Sequence, residues 1–195
     1  MARKKAAVRR EEILVATVEE IESSGLRALR VSDVAARLGL SASLVIYHFE
    51  TKEALVNEAF DFAGRQDIDR ARELAAGQVS ALQRLRDVVG WYLPRGSSRS
   101  WKIWIDGWSA GLVDDALRST FAALDQEWKS ILSSLMDEAI AAGECTAPEG
   151  GTASGATRVL AFLDGLAIQV MVNSETVDTE ALSTWVDDFL TRELG

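Results

Sequence analysis

The spacing of apolar residues predicts an all-α protein of about nine helices. Only two prolines, Pro94 and Pro148, interrupt the 195-residue chain. Between turn signals the apolar residues recur at the spacing of one helix face, and no stretch sustains the alternation of a half-buried strand. Serine, threonine and glycine also stand where helix caps and stops are needed.

The first helix is expected over about 9–24, with Leu14, Val18 and Ile21 as its apolar stripe and Gly25 as its stop. The second starts with Ser32 as N-cap, covers DVAARL and breaks at Gly39. Ser41 caps the third, ASLVIYHF, over 42–49. Thr51 caps the fourth, which begins KEALVNEAF and continues to about 75. The fifth covers about 79–92 and stops before Pro94, with RGSSR, 95–99, as a turn. The sixth runs over about 100–111 and a long seventh over about 114–142. GECTAPEGGTASG, 143–155, connects to an eighth helix over about 156–172, and a ninth covers about 179–193.

Composition narrows the function classes. Hydrophobic residues are 48% and charged residues 26%, which fits a soluble globular chain. No apolar run is expected to reach the roughly 18 residues of a membrane span, and MARKKAAVRREE lacks the apolar core of a secretory signal. A single cysteine, Cys145, excludes an internal disulfide and suits a reducing cytoplasm. With His48 as the only histidine, a zinc site is not expected, nor is a cofactor. The connector at 143–155 lacks the Lys-Ser/Thr ending of a phosphate loop, and no strand precedes it.

Charge is unevenly placed. The net charge is −9, yet residues 1–49 carry eight Lys/Arg against six Asp/Glu. Arg3, Lys4, Lys5, Arg9 and Arg10 occupy the first ten residues with no acid. That asymmetry points to a polyanion as partner of the N-terminal end, or to a solvated basic tail.

Next to this basic end, GLS joins two short helices, and Gly39 permits the left-handed backbone of a tight turn. Ala35 is small enough for a close crossing, with Val34, Leu38, Leu40 and Val45 inside it. This is the pattern of a helix-turn-helix, whose second helix enters the DNA major groove. Ser41 and Ser43 stand at an N-terminus that can meet phosphates or base edges. Tyr47 and His48 can each donate to a phosphate. Lys52 opposes the dipole at the start of its helix, so a nearby anion would explain it. A nucleophilic serine–histidine pair is excluded by spacing. Ser41 or Ser43 lies too far along the helix from His48, and no strained elbow precedes either serine.

GLRALRVSDVAARLGLSASLVIYHFETKEALVNEAF, with YHF followed by KEAL, resembles the tetracycline-repressor (TetR) family of transcription regulators over residues 9–60. The resemblance implies a non-enzymatic homodimer that binds double-stranded operator DNA. It implies a DNA-binding domain at 1–50 with a basic arm, and a ligand-binding and dimerisation domain at 51–195, with the fourth helix as connector. A small-molecule inducer would release such a repressor from its operator. Arg3, Lys4, Lys5, Ser32, Ser41, Ala42, Ser43, Leu44, Tyr47, His48 and Lys52 are the candidate DNA contacts. Relatives often carry a basic residue, a glycine, a threonine and a tyrosine where this chain has Ala42, Ser43, Leu44 and Ile46. Specificity is therefore expected from Ser43, from Ala42 or Leu44 on thymine methyls, and from DNA shape. The basic arm would add affinity by counterion release or enter a minor groove. The alternative is a ligand-binding helical dimer with weak or lost DNA binding.

The C-terminal two-thirds is rich in tryptophan. Trp101, Trp104, Ile105 and Trp108 form a stripe, with Trp91 and Tyr92 ending the fifth helix and Trp128 in the seventh. They form either an aromatic core or the lining of an inducer pocket. Asp164 lies on an apolar face with Ile168, so it is expected either to pair with Arg158 or Arg118, or to meet a cationic ligand beside tryptophan faces. Gln169 and Asn173 are further polar candidates. This region, including LRSTFAALDQEWKSILSSLMDEAIAAGE and FLDGLAIQVMVN, resembles the choline-sensing BetI-like repressors. The resemblance implies a dimer through the helices at 114–142 and 156–172, where Gly155, Ala156, Ala161, Gly165 and Ala167 allow close approach. It leaves the inducer open: apolar, aromatic or cationic.

Overall fold

A computed structural model describes the backbone of residues 2–94, 99–173, 175 and 177–195, and the side chains of 7–94, 101–173, 175 and 177–195. Among these residues the regular elements are nine α-helices: α1 (Ala2–Ser24), α2 (Val31–Arg37), α3 (Ala42–Phe49), α4 (Lys52–Ala75), α5 (Ala81–Tyr92), α6 (Arg99–Gly111), α7 (Asp115–Ala141), α8 (Thr152–Val172) and α9 (Leu182–Leu194). Two compact units emerge, 1–66 with 99–123, and 67–98 with 124–195.

In the first unit α1 packs against α2 and α6, and α2 packs on α3. The helix begins at Ala2 rather than near residue 9, because ARKKAAVRR is built of strong helix formers. The expected basic arm thus has a helical backbone; the side chains of Arg3, Lys4 and Lys5 lie outside the described residues. Ile13, Thr17 and Ile21 are fully buried, while Leu14 and Val18 are only half-buried. The buried arc is therefore turned slightly from the expected stripe, since α1 has neighbours on two sides. Val34, Val45, Phe49, Leu55 and Phe60 complete this core.

Arg10 locks three of these helices. Its guanidinium donates to the His48 carbonyl at the end of α3 and to both carboxylate oxygens of Glu58 on α4. It also lies over the Phe49 ring, 4.1 Å from the centroid. A cation read from sequence only as part of the basic end, facing a polyanion or solvent, is a structural tie.

In the second unit Leu85, Val88, Leu132, Leu135, Met136, Val159, Leu160, Leu163 and Leu190 are buried. The helix α5 starts after Ser80, whose hydroxyl accepts from the Gln83 N–H at 3.2 Å. The expected turn at 95–99 falls largely outside the described residues. Contrary to expectation, α8 is long and apolar enough to cross a membrane, with a mean hydropathy of 1.4 over its most apolar window. One stripe of it, from Gly155 to Val170, is buried, and it packs on α9. There Phe162 and Phe189 stack at 4.2 Å, and Arg158 pairs with Glu193.

Candidate nucleic-acid interface and ligand site

The turn between α2 and α3 follows local chemistry. Gly39 has a φ of +64°, and the Leu40 N–H closes the turn onto the Ala35 carbonyl at 2.9 Å. Ser41 caps α3 by accepting from the Leu44 N–H at 3.2 Å, and its hydroxyl meets that of Ser43 at 3.0 Å. Thr51 caps α4 by accepting from the Ala54 N–H at 3.0 Å. Ser32 does not cap α2. The N-cap position is Arg30, which makes no side-chain cap bond, and Ser32 sits exposed in the first turn beside Asp33. Two residues of helix extension, Val31 and Ser32 itself, move the serine out of the cap position.

Val45 and Phe49 anchor α3 in the core. The opposite side is exposed: Ser41, Ala42, Ser43, Leu44 at 37% and Tyr47 at 81%. Tyr47 meets the half-buried His48 edge to face, with ring centroids 5.6 Å apart. Lys52 stands at the start of α4 and, among the described residues, forms no ion pair. The expected contact residues from Ser41 to Lys52 therefore lie on α3 and at its two ends, with the hydroxyls at one end and the phenol and amine at the other.

Five of the six tryptophans fall into two clusters, one in each unit. In the first, Trp101 and Trp104 are buried, Trp104 meets Phe60 and Phe121, and Trp108 meets Trp101 and Phe121. The Trp108 indole N–H is buried without a hydrogen-bond partner among the described residues. In the second, Trp91 stacks on Trp128 at 6.0 Å and 17°, and Tyr92 meets Trp128 at 4.7 Å and 76°. The Tyr92 hydroxyl donates to Asp164 Oδ1 at 2.9 Å.

Neither expected arginine reaches Asp164. Arg158 pairs with Glu193, and Arg118 pairs with Asp115 and donates to the Gly111 carbonyl. Burial pushes the Asp164 carboxyl up to about 6, with the Tyr92 hydrogen bond and Lys129 opposing that rise and Asp125 adding to it. Burial, and then the charge of Asp164, also push the Tyr92 phenol well up, so it stays a donor. Lys129 is itself paired with Asp125 at 2.7 Å. Lys129 is the site residue that sequence reasoning missed, and Tyr92, read from sequence only as one of the aromatics, is the partner of Asp164. The one available signal was a tyrosine directly after Trp91 at the end of an amphipathic helix.

Ile168, one turn beyond Asp164, is 39% exposed. Gln169 is also exposed and accepts from Asn173 Nδ2. Trp91, 37% exposed, borders a groove of about 650 Å³ that includes Arg86, Asp87, Val186 and Asp187. Among the described residues, no three His, Cys, Asp or Glu side chains converge as metal ligands.

Comparison with known proteins returns two family models. Residues 13–59 match bacterial regulatory proteins of the tetR family, and residues 81–195 match the C-terminal domain of BetI-type transcriptional repressors. The HTH-type transcriptional regulator BetI of Escherichia coli strain K12 is 23% identical over 192 residues, covering 96% of this chain and 95% of the relative. A transcriptional regulator from Saccharomonospora viridis, solved in complex with choline, superposes with a TM-score of 0.86 at 23% identity, covering 96% of this chain and 98% of the other. A TetR-family regulator from Rhodococcus sp. gives a TM-score of 0.80 at 25% identity, with 96% and 98% coverage.

Proposed function

This chain belongs to the TetR family of bacterial regulatory proteins, with a BetI-type repressor C-terminal domain, and on that premise we propose that it is a homodimeric repressor released from operator DNA by a small cationic inducer. Residues 1–50 bind DNA, and residues 51–195 bind ligand and dimerise. A protein with this task works in the cytoplasm.

The observation that carries the DNA-binding part is the exposed surface of α3. Ser41 to Leu44 and Tyr47 face outward while Val45 and Phe49 hold the helix in the core. Ser43 reads a base edge, and Ala42 and Leu44 touch thymine methyls. Tyr47, His48, Lys52 and the basic residues Arg3, Lys4 and Lys5 hold phosphates, and Ser32 adds a further contact. Two such helices enter successive major grooves, roughly 34–36 Å apart.

The cationic ligand is supported by Asp164, a carboxylate in an aromatic setting that forms no ion pair with Lys or Arg among the described residues. A structural neighbour that binds choline agrees with that chemistry. Binding to the state with the wrong groove spacing lowers operator affinity by population shift. The helices at 114–142 and 156–172 expected from sequence are one candidate dimer face, and the exposed apolar residues favour another. Exposed apolar residues lie on α8 and α9, at Ala161, Ile168, Val172 and Trp185, beside Gly165, whereas the exposed residues of α7 are small or polar. The proposed pair is therefore α8 with α9.

A gel-shift titration with the DNA upstream of the chain's own gene tests the reading. The wild-type dimer is expected to give a salt-sensitive, sequence-dependent shift. Tyr47→Phe/Lys52→Ala is expected to lose it with unchanged circular dichroism, and its residual binding should have a shallower salt slope. Equal binding by the double variant would remove α3 and the start of α4 as the DNA surface.

A further inference from the structure

We infer that the Asp164 site selects a protonated amine with a neighbouring hydroxyl or carbonyl oxygen, in preference to a quaternary ammonium. The inference rests on the cation-binding reading above and narrows it.

Three observations lead to it. The indole N–H of Trp128 is buried and has no hydrogen-bond partner among the described residues, and the side chain is only 2% exposed. A buried donor without an acceptor is costly, and an oxygen on a ligand would satisfy it. Asp164 has one oxygen in use: Oδ1 accepts from Tyr92, and Oδ2 has no partner among the described residues. That free oxygen calls for an N–H donor, which a protonated amine has and a quaternary ammonium lacks.

The rings supply the third. A quaternary ammonium is held by open aromatic faces. Here Trp91 and Trp128 stack on each other at 6.0 Å, and Tyr92 packs against Trp128 at 4.7 Å. Trp128 packs against both neighbours, and its unpaired N–H and the second Asp164 oxygen are what the site adds. Lys129 does not fill the role of the cation, because it is paired with Asp125. The site thus offers one hydrogen bond in each direction, and a ligand that carries both a donor and an acceptor is the one that can use both.

Calorimetric titration of the full-length protein at pH 7.5 with four probes decides the matter: N,N-dimethylethanolamine, choline, trimethylamine and tetramethylammonium. Protonated dimethylethanolamine differs from choline by an N–H in place of one N-methyl, and from trimethylamine by the added hydroxymethyl group. It is expected to bind at least about tenfold more tightly than either, as a hydrogen bond to a charged or buried partner provides. Trp128→Phe is expected to remove the advantage over trimethylamine while trimethylamine binding persists. Choline binding as tightly as dimethylethanolamine, or more tightly, overturns the inference and leaves the cation-binding reading standing. Failure of all four probes removes that reading and the inference together. The comparison of probes needs only the wild-type protein, so it stands even if the Phe variant folds poorly.

Discussion

The backbone N–H of Leu26 donates a 2.7 Å hydrogen bond to Asp106 Oδ2, tying the turn after α1 to α6. Lys102, one turn earlier on α6, reaches the Glu22 carbonyl at 3.5 Å. Hydrogen bonds to a charged group contribute about 1.5–3 kcal/mol. Asp106→Ala is expected to destabilise by about that much in denaturant unfolding, whereas Asp106→Asn keeps an acceptor and recovers most of it. Equal losses in both variants would show that charge, and not the Leu26 bond, is what matters.

The raised carboxyl of Asp164 makes stability depend on pH. Its ordinary value is 3.8 and burial takes it to about 6, so between these the folded state holds a proton that the unfolded state has lost. Stability is therefore highest below that window and falls as pH rises through it, by on the order of 3 kcal/mol. Asp164→Asn keeps an acceptor for Tyr92 and cannot titrate. It is expected to flatten the stability profile between pH 4 and 6 and to be the more stable protein at pH 7. Parallel profiles for the two proteins would mean the carboxyl is not desolvated.

Gly107 marks a point where α6 and α4 touch. A Cβ placed on it would stand 2.0 Å from Phe60 Cε2. Gly107→Ala is expected to lower stability by about 1–3 kcal/mol, through overpacking. Phe60→Leu should absorb part of that loss, appearing as a positive coupling in a double-mutant cycle. Additive effects would place the strain elsewhere.

Glu50 is the one non-glycine residue with positive φ among the described residues, at φ 67° and ψ −52°. The Thr51 N–H bonds back to the Phe49 carbonyl at 2.7 Å, so the junction of α3 and α4 is a three-residue turn of the strained hand. The side chain is exposed and forms no ion pair among the described residues. Glu50→Gly is expected to stabilise by about 1 kcal/mol, read as a rise in melting temperature. A fall would show that an interaction of the side chain outweighs the backbone strain.

Features decided within one helical turn were legible from sequence. Gly39, Ser41 and Thr51 make the turn and caps expected of them, since each acts on backbone groups within five residues. Helical period was equally local, and so was the outward placement of Ser43 and Tyr47 against Val45 and Phe49. Ser32 shows where local reading falls short, because a small change in where α2 begins removes it from the cap position.

The amino-acid sequence by itself determined the helices, their joints and the surface of α3, through hydrogen bonds and periodicity that span only a few residues. Tertiary structure decided the partners. It gave Asp164 to Tyr92, 72 residues away, instead of to Arg158 or Arg118. It turned Arg10 from a tail cation into a clasp on His48 and Glu58, and divided five of the six tryptophans between two clusters. The physical reason is that a long-range pair forms only where packing brings two helix faces together, and no spacing within one helix encodes which face that is.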